Sequence, residues 1–198
     1  FDLRGGLSQE SLHESRPGPD VREDPHGDLF EYDARATLFP SGVISANVFA
    51  LKQDRRQPRM FLPSLERRRE RYGAELIYSD RILPMRLSFE DASEDLLSLG
   101  RSSNDDERRH DRRLEYEATW QPSEHHRLHL DYEYDDPREE YSGGTTRFDT
   151  VRNYFTLNHV LQFGEDHKSR LDTVARVQDE SGDLARDVSE FAPQVRLQ

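Results

Sequence analysis

Apolar residues recur at every second position in pairs of segments about ten residues long, and each pair is joined by a short polar turn. In the clearest pair, residues 114–120 and 127–134 flank a turn that contains Pro122. The apolar positions of this pair are Leu114, Tyr116, Ala118, Trp120, Leu128, Leu130, Tyr132 and Tyr134. A period of two places alternate side chains on opposite faces of a β-strand. The pattern therefore predicts long antiparallel hairpins with one apolar face and one charged face.

The same alternation predicts ten strands in a single domain that covers residues 1–198. The predicted strands cover residues 1–10, 28–39, 42–53, 70–79, 82–91, 112–121, 126–135, 151–163, 169–179 and 187–198. The connections are alternately short and long, and the long ones cover residues 11–27, 54–69, 92–111, 136–150 and 180–186. We therefore predict an all-β fold, an antiparallel up-and-down meander with all short turns at one end of the sheet.

The composition agrees with sheet better than with a compact core. Charged residues make up 34% of the chain and hydrophobic residues only 33%. Strict alternation still allows folding, because half of each strand can be polar while one face stays apolar. The formal net charge of −12 argues against nucleic acid as a partner. The absence of cysteine excludes disulfides and thiolate metal sites.

No pattern of catalysis, cofactor binding or metal binding stands out. Ser41 and Ser142 lie next to glycines but lack the spacing of a nucleophile elbow, and there is no glycine-rich phosphate loop. His125 and His129 would lie about 13 Å apart along one strand, and His126 would point to the other face. We therefore predict that the protein is not an enzyme and has no catalytic residues, no cofactor and no metal site.

An exposed apolar face must be covered, either by a second sheet or by lipid. The predicted strands run ten to thirteen residues, near the length that a tilted strand needs to cross a bilayer. Strands of soluble proteins average about five or six residues. Aromatic residues also lie towards the ends of the apolar rows, as Tyr72 and Tyr78 do around Ala74 and Leu76. Interfacial aromatic girdles have this arrangement, so these features favour lipid.

With these features the chain resembles bacterial outer-membrane β-barrel proteins of the porin-like kind. The resemblance covers nearly the whole chain and is architectural, since no motif identifies one family. It implies a transmembrane β-barrel in the bacterial outer membrane that contacts outer-membrane lipid and lipopolysaccharide. It also implies a role as a channel, or as a scaffold with protein partners in a larger assembly.

Many such barrels end in an aromatic residue, whereas this sequence ends at Gln198, which suggests one part of a larger barrel. A barrel closed by ten strands fits the strand count equally well.

A soluble alternative stays open. The mean hydropathy of −1.00 is low even for a barrel with a wet interior. The alternative is a soluble all-β binding domain with a charged outer sheet face and a ligand site at its loop end.

In a barrel, the charged face would line the lumen. The lumen-lining candidates are Glu31, Asp33, Arg35, Glu75, Arg86, Glu115, Glu117, His129, Asp131, Glu133, Asp172 and Arg176. Eight acids against three arginines would make a wide lumen slightly cation-favouring, since fixed negative charge attracts counter-ions. In a narrow barrel the same side chains would pair across the interior, and on a soluble sheet they would only keep one face hydrated.

The predicted loop at residues 54–69 combines many arginines with a small apolar cluster. Its contact candidates are Arg55, Arg56, Arg59, Phe61, Arg67 and Arg68. Such a cluster would suit lipopolysaccharide or a protein partner, or the loop would fold over its own barrel. Within this loop, Ser64–Arg71 is predicted as a short helical turn.

Overall fold

The described residues fold into one sheet of ten antiparallel strands that are paired in the order of the sequence. The structure, a computed structural model, describes residues 2–10, 29–57, 65–98, 106–141, 146–164, 168–183 and 188–197. The strands are β1 (Asp2–Glu10), β2 (Leu29–Leu38), β3 (Ile44–Gln57), β4 (Leu65–Tyr78), β5 (Met85–Ser98), β6 (Glu107–Ser123), β7 (His126–Tyr141), β8 (Thr146–Phe163), β9 (Ser169–Gly182) and β10 (Val188–Leu197). β1 and β10 form the two edges, so the described sheet is open. The prediction of an all-β, antiparallel up-and-down meander is confirmed. No helix in the described ranges has the length and apolarity to cross a membrane.

Several strands are longer than the alternation of apolar residues predicts. β3 continues to Gln57 and β4 begins at Leu65, so much of the predicted loop at residues 54–69 is strand. The predicted loops at residues 92–111 and 136–150 also lose most of their length to strands. The helical turn predicted at Ser64–Arg71 is wrong from Leu65 onward, because those residues lie in β4. Alternation of apolar residues cannot find a strand that is charged on both faces, since such a strand has no apolar period.

The short turns all lie at one end of the sheet, as the meander requires. They join β2 to β3, β4 to β5, β6 to β7 and β8 to β9. Phe39 opens the first of these turns with a φ of 53°, which is uncommon for a residue other than glycine. The amide of Gly42 donates a hydrogen bond of 3.0 Å to the carbonyl of Phe39 and closes this turn.

The strand register carries the predicted apolar positions onto a single face across the whole sheet. Val48 pairs with Ala74, Ala74 with Phe89, and Phe89 with Leu114. Directly paired residues of antiparallel strands point to the same side. We call the side that carries these residues the apolar face and the opposite side the polar face.

The described residues contain almost no buried core. Ala118 is their one buried hydrophobic residue. The accessible surface is 14275 Å², whereas a globular monomer of 23.2 kDa exposes about 9,700 Å². The described residues therefore supply no second layer that covers the sheet.

Candidate functional site

The half of the apolar face nearest the short turns is a continuous hydrophobic surface, which we call the apolar band. It consists of residues 30–38, 44–50, 72–78, 85–89, 114–120, 128–134, 155–163, 171–177 and 193–197 at alternate positions. Many of its large side chains are exposed; Leu76, for example, keeps 46% of its surface accessible. Every exposed large hydrophobic residue in a described strand lies on this face, and the remaining three, Phe39, Val43 and Ile82, lie in short turns.

The apolar band runs obliquely across the strands. In β2 it is centred on Ala34, and Ala36 lies two residues nearer the short turn. Direct pairing from Ala36 leads, after seven strand-to-strand steps, to Asp179 in β9. Asp179 lies five residues from the centre of the β9 segment, residues 171–177, on the side away from the turn. The band is thus displaced by one residue per strand on average.

This displacement defines an angle. One residue along a strand is about 3.3 Å and one step between strands is about 4.8 Å. The band therefore makes an angle of about 35° with the direction perpendicular to the strands. If the band lies in one plane, the strands are tilted by the same angle from the normal to that plane.

The polar face carries all twelve lumen-lining candidates. Register places Glu75 opposite Asn47, Arg86 opposite Glu117, and Asp172 opposite Arg196. The same alternation assigns the remaining candidates to this face, which are Glu31, Asp33, Arg35, Glu115, His129, Asp131, Glu133 and Arg176. Their grouping on one face is a property of the fold; that this face lines a lumen stays a prediction.

Ion pairs cross the polar face between neighbouring strands. Arg86 Nε lies 2.5 Å from Glu75 Oε1, and Arg152 Nε lies 3.1 Å from Glu180 Oε1. Arg71 Nη2 lies 2.6 Å from Glu90 Oε2. These guanidinium groups remain 36% to 56% exposed, so each pair stabilises the sheet by less than about 1 kcal/mol. The pairs hold side chains in place without removing them from water.

Acids on β6 and β7 face each other without enough positive charge between them. Glu115 is directly opposite Glu133, and Glu117 is directly opposite Asp131. Like charges in direct cross-strand pairs are destabilising. His129, directly opposite Thr119, lies next to the second pair, with Nε2 3.1 Å from Asp131 Oδ2. Donor atoms of Glu117, His129 and Asp131 all lie within 4.8 Å of one another. This acidic centre is the most negative part of the polar face on β6 and β7.

The half of the sheet away from the short turns is charged on both faces, and we call it the charged band. On the polar face of this band, Arg67 Nη2 lies 2.8 Å from Glu94 Oε1. On the other face, Arg112 Nε lies 3.0 Å from Asp91 Oδ2, and Asp91 is only 4% exposed. Cross-strand ion pairs and hydrogen bonds therefore replace apolar contacts in this half of the sheet.

The charged band corrects the predicted loop contacts. Arg55 and Arg56 lie in β3, and Arg67 and Arg68 lie in β4, so none of the four is in a loop. They point to both faces of the sheet and do not form one patch. Arg59 and Phe61 lie outside the described residues.

Several charged residues were not assigned to the polar face from the sequence. Arg71, Arg113 and Arg152 all form ion pairs there. Charged residues of both signs continue along the chain beyond the last apolar residue of each strand. This pattern was the available signal for them, because complementary cross-strand pairs allow a strand to continue.

The chain matches no protein-family model, no curated protein and no solved structure.

Proposed function

We propose that this chain is an outer-membrane β-barrel, or part of one, whose polar face lines a cation-favouring passage. The observation that carries the proposal is the apolar band, which is exposed, continuous over the strands and confined to one face. Lipid hydrocarbon is the occupant, since hydrocarbon covers such a face and a hydrogen-bonded sheet leaves no unpaired backbone group towards lipid once it closes.

The obliquity of the band supports a membrane barrel over a soluble sheet. Strands of transmembrane barrels tilt by about 35–45° from the membrane normal. A band that lies in the membrane plane would give these strands a tilt of about 35°. A soluble sheet covered by a second layer has no need to align its apolar positions along such a line.

The extent of the band also fits a thin bilayer. Segments of seven to nine residues, such as 44–50 and 155–163, cover about 20 to 26 Å along the strand. A tilt of 35° reduces this to about 16 to 22 Å in height. The outer membrane is thinner than an average bilayer, and aromatic side chains such as Tyr72, Tyr78 and Trp120 form the edges of the band.

The charged band then lies beyond the hydrocarbon. Short turns belong to the periplasmic side of outer-membrane barrels. The charged band would therefore lie at the cell surface, where its outward arginines, such as Arg56 and Arg68, meet the phosphates of lipopolysaccharide. Protein partners in a larger assembly would contact the same end.

Conductance of the purified chain in a planar bilayer tests the proposal. We expect channel steps with a reversal potential that favours cations in a salt gradient, because acids outnumber arginines on the polar face. The double change Glu115→Gln and Glu117→Gln should shift the reversal potential towards anions, since it removes two fixed negative charges. Glu140→Gln is the matched control, because Glu140 lies on the other face of the charged band.

The outcomes separate the parts of the proposal. Purification from the soluble fraction without detergent would overturn the membrane assignment and leave a soluble binding domain. Insertion into bilayers without channel steps would overturn the passage and leave a membrane scaffold. An equal shift from Glu140→Gln would show that the polar face does not line the path.

A further inference from the structure

Two histidines from neighbouring strands meet on the apolar face, one at the first residue of β7 and one within the β8 segment of the apolar band. His126 opens β7 and pairs with Leu161, while His159 of β8 pairs with Leu128. The two histidines are thus diagonal neighbours on the apolar face. Their Nε2 atoms lie 3.0 Å apart, and their rings meet at an angle of 69°. Both residues are half-buried.

We propose that His126 and His159 form a two-nitrogen chelate for a divalent first-row transition-metal ion of the Cu²⁺, Ni²⁺ or Zn²⁺ type. Imidazole nitrogen binds such ions at about 2.0–2.1 Å. Two ligands at that distance are separated by about 2.9 Å at a right angle and by about 3.4 Å at a tetrahedral angle. The separation of 3.0 Å between the Nε2 atoms falls in this range.

The backbone fixes this geometry before any ion binds. The β7–β8 ladder includes the pairs His126–Leu161 and Leu128–His159, and beyond them the amide of Gln162 donates a hydrogen bond of 2.8 Å to the carbonyl of His125, so the Cα positions are set by the ladder. Trp120 also packs against the His126 ring, with centroids 4.9 Å apart and an edge-to-face angle of 71°. A metal would replace the single hydrogen bond that the two rings share, and water would fill the other coordination positions.

The acidic centre on the polar face is a weaker candidate for the same ion. There His129 Nε2 lies against Asp131, and Nδ1 lies 2.8 Å from Thr119 Oγ1. Both ring nitrogens of His129 are therefore engaged by oxygen atoms. In the His126–His159 pair, the two Nε2 atoms are 3.0 Å apart, so one ion can bind both of them.

The fluorescence of Trp120 can report binding of the ion, because Trp120 is the only tryptophan in the chain. We expect Cu²⁺ or Ni²⁺ to quench its fluorescence saturably in the folded chain, since the ion would sit next to the ring that Trp120 contacts. His159→Asn should weaken the apparent affinity by an order of magnitude or more, because the second ligand acts at high effective concentration. His159 has no ring contact with Trp120 among the described aromatic contacts, so this variant leaves the fluorophore's contact with His126 in place.

His129→Asn is the matched control, because His129 is on the same strand as His126 but on the polar face. Its affinity should equal that of the unchanged chain. Electron paramagnetic resonance of bound Cu²⁺ should show coupling to two imidazole nitrogens in the unchanged chain, and to one in His126→Asn.

Quenching that does not saturate, or that persists unchanged in His159→Asn, would overturn the site. Loss of quenching only in His129→Asn would assign the ion to the acidic centre instead. The measurement does not depend on a membrane or a passage.

Discussion

At the scale of single residues, Gly73 shows how closely side chains pack on the polar face. The Phe49 ring lies over Gly73, its direct partner on β3, and the Arg71 guanidinium lies 5.7 Å from the centre of that ring. A methyl group on residue 73 would be 2.7 Å from the Phe49 ring and 2.5 Å from the Phe89 carbonyl oxygen. Glycine is therefore required by space at this position, although its backbone is an ordinary strand.

We predict that Gly73→Ala destabilises the sheet by about 1–3 kcal/mol, the usual cost of overpacking. The Phe49 ring would have to move off the strand and lose its contact with Arg71. The free energy of unfolding in urea measures the effect. Gly6→Ala is the control, because no atom lies within 4 Å of the added methyl group there. Equal stability of the two variants would contradict this account of Gly73.

At the scale of elements, the short turns are built from local hydrogen bonds. In the turn between β4 and β5, Asp80 Oδ1 accepts hydrogen bonds from the amides of Ile82 and Leu83, at 2.8 and 2.9 Å. The amides of Leu83 and Ile82 lower the pKa of the Asp80 carboxyl below its ordinary value of 3.8. The charged form of Asp80 therefore favours the folded turn.

We predict that Asp80→Ala lowers Tm at neutral pH. Because the pKa of Asp80 is lower in the folded chain, its contribution is complete above the unfolded value and is lost as pH falls through the folded value. The Tm difference between the unchanged chain and Asp80→Ala should therefore shrink below pH 3.8. Thermal melts across this range measure it. Asp80→Asn keeps a hydrogen-bond acceptor without a charge, so its Tm difference from the unchanged chain should also shrink below pH 3.8. A Tm difference that does not change with pH for either variant would argue against the carboxylate.

Element boundaries were the part of the fold that the sequence predicted least well. The short turns and the apolar halves of the strands follow from alternation, glycine, proline and aspartate, which act locally. The charged halves do not, because residues such as Arg67 and Glu94 are held by an ion pair with a partner on another strand. That partner is chosen by register, which no single segment contains.

At the scale of the whole molecule, a ten-stranded sheet leaves an apolar face without a partner among the described residues. In water, one exposed side chain on such a face tolerates substitution with changes within about 0.5 kcal/mol. In hydrocarbon, an arginine at the bilayer midplane costs about 2–4 kcal/mol. The same substitution therefore distinguishes the two environments.

We predict that Leu76→Arg, near the centre of the apolar band, impairs folding into lipid vesicles by about 2–4 kcal/mol. The fraction that migrates as folded protein on an unheated detergent gel measures it. Ser88→Arg is the control, because Ser88 is on the polar face and hydrogen-bonds Glu115 at 3.1 Å. Arginine there would meet acids and water. Normal folding of Leu76→Arg would show that the apolar band is not in lipid.

The sequence by itself determined the local features of this protein: the strand period, the two unlike faces, the end of the sheet that holds the short turns, and the twelve charged candidates on the polar face. These features depend on intervals of two to six residues, and local backbone geometry is enough to interpret them. Only the tertiary structure decided the register. Register set the oblique course of the apolar band, the opposition of Glu117 and Asp131, and the meeting of His126 with His159. These relations join residues 14 to more than 100 positions apart, and hydrogen bonding between strands is the interaction that brings them together.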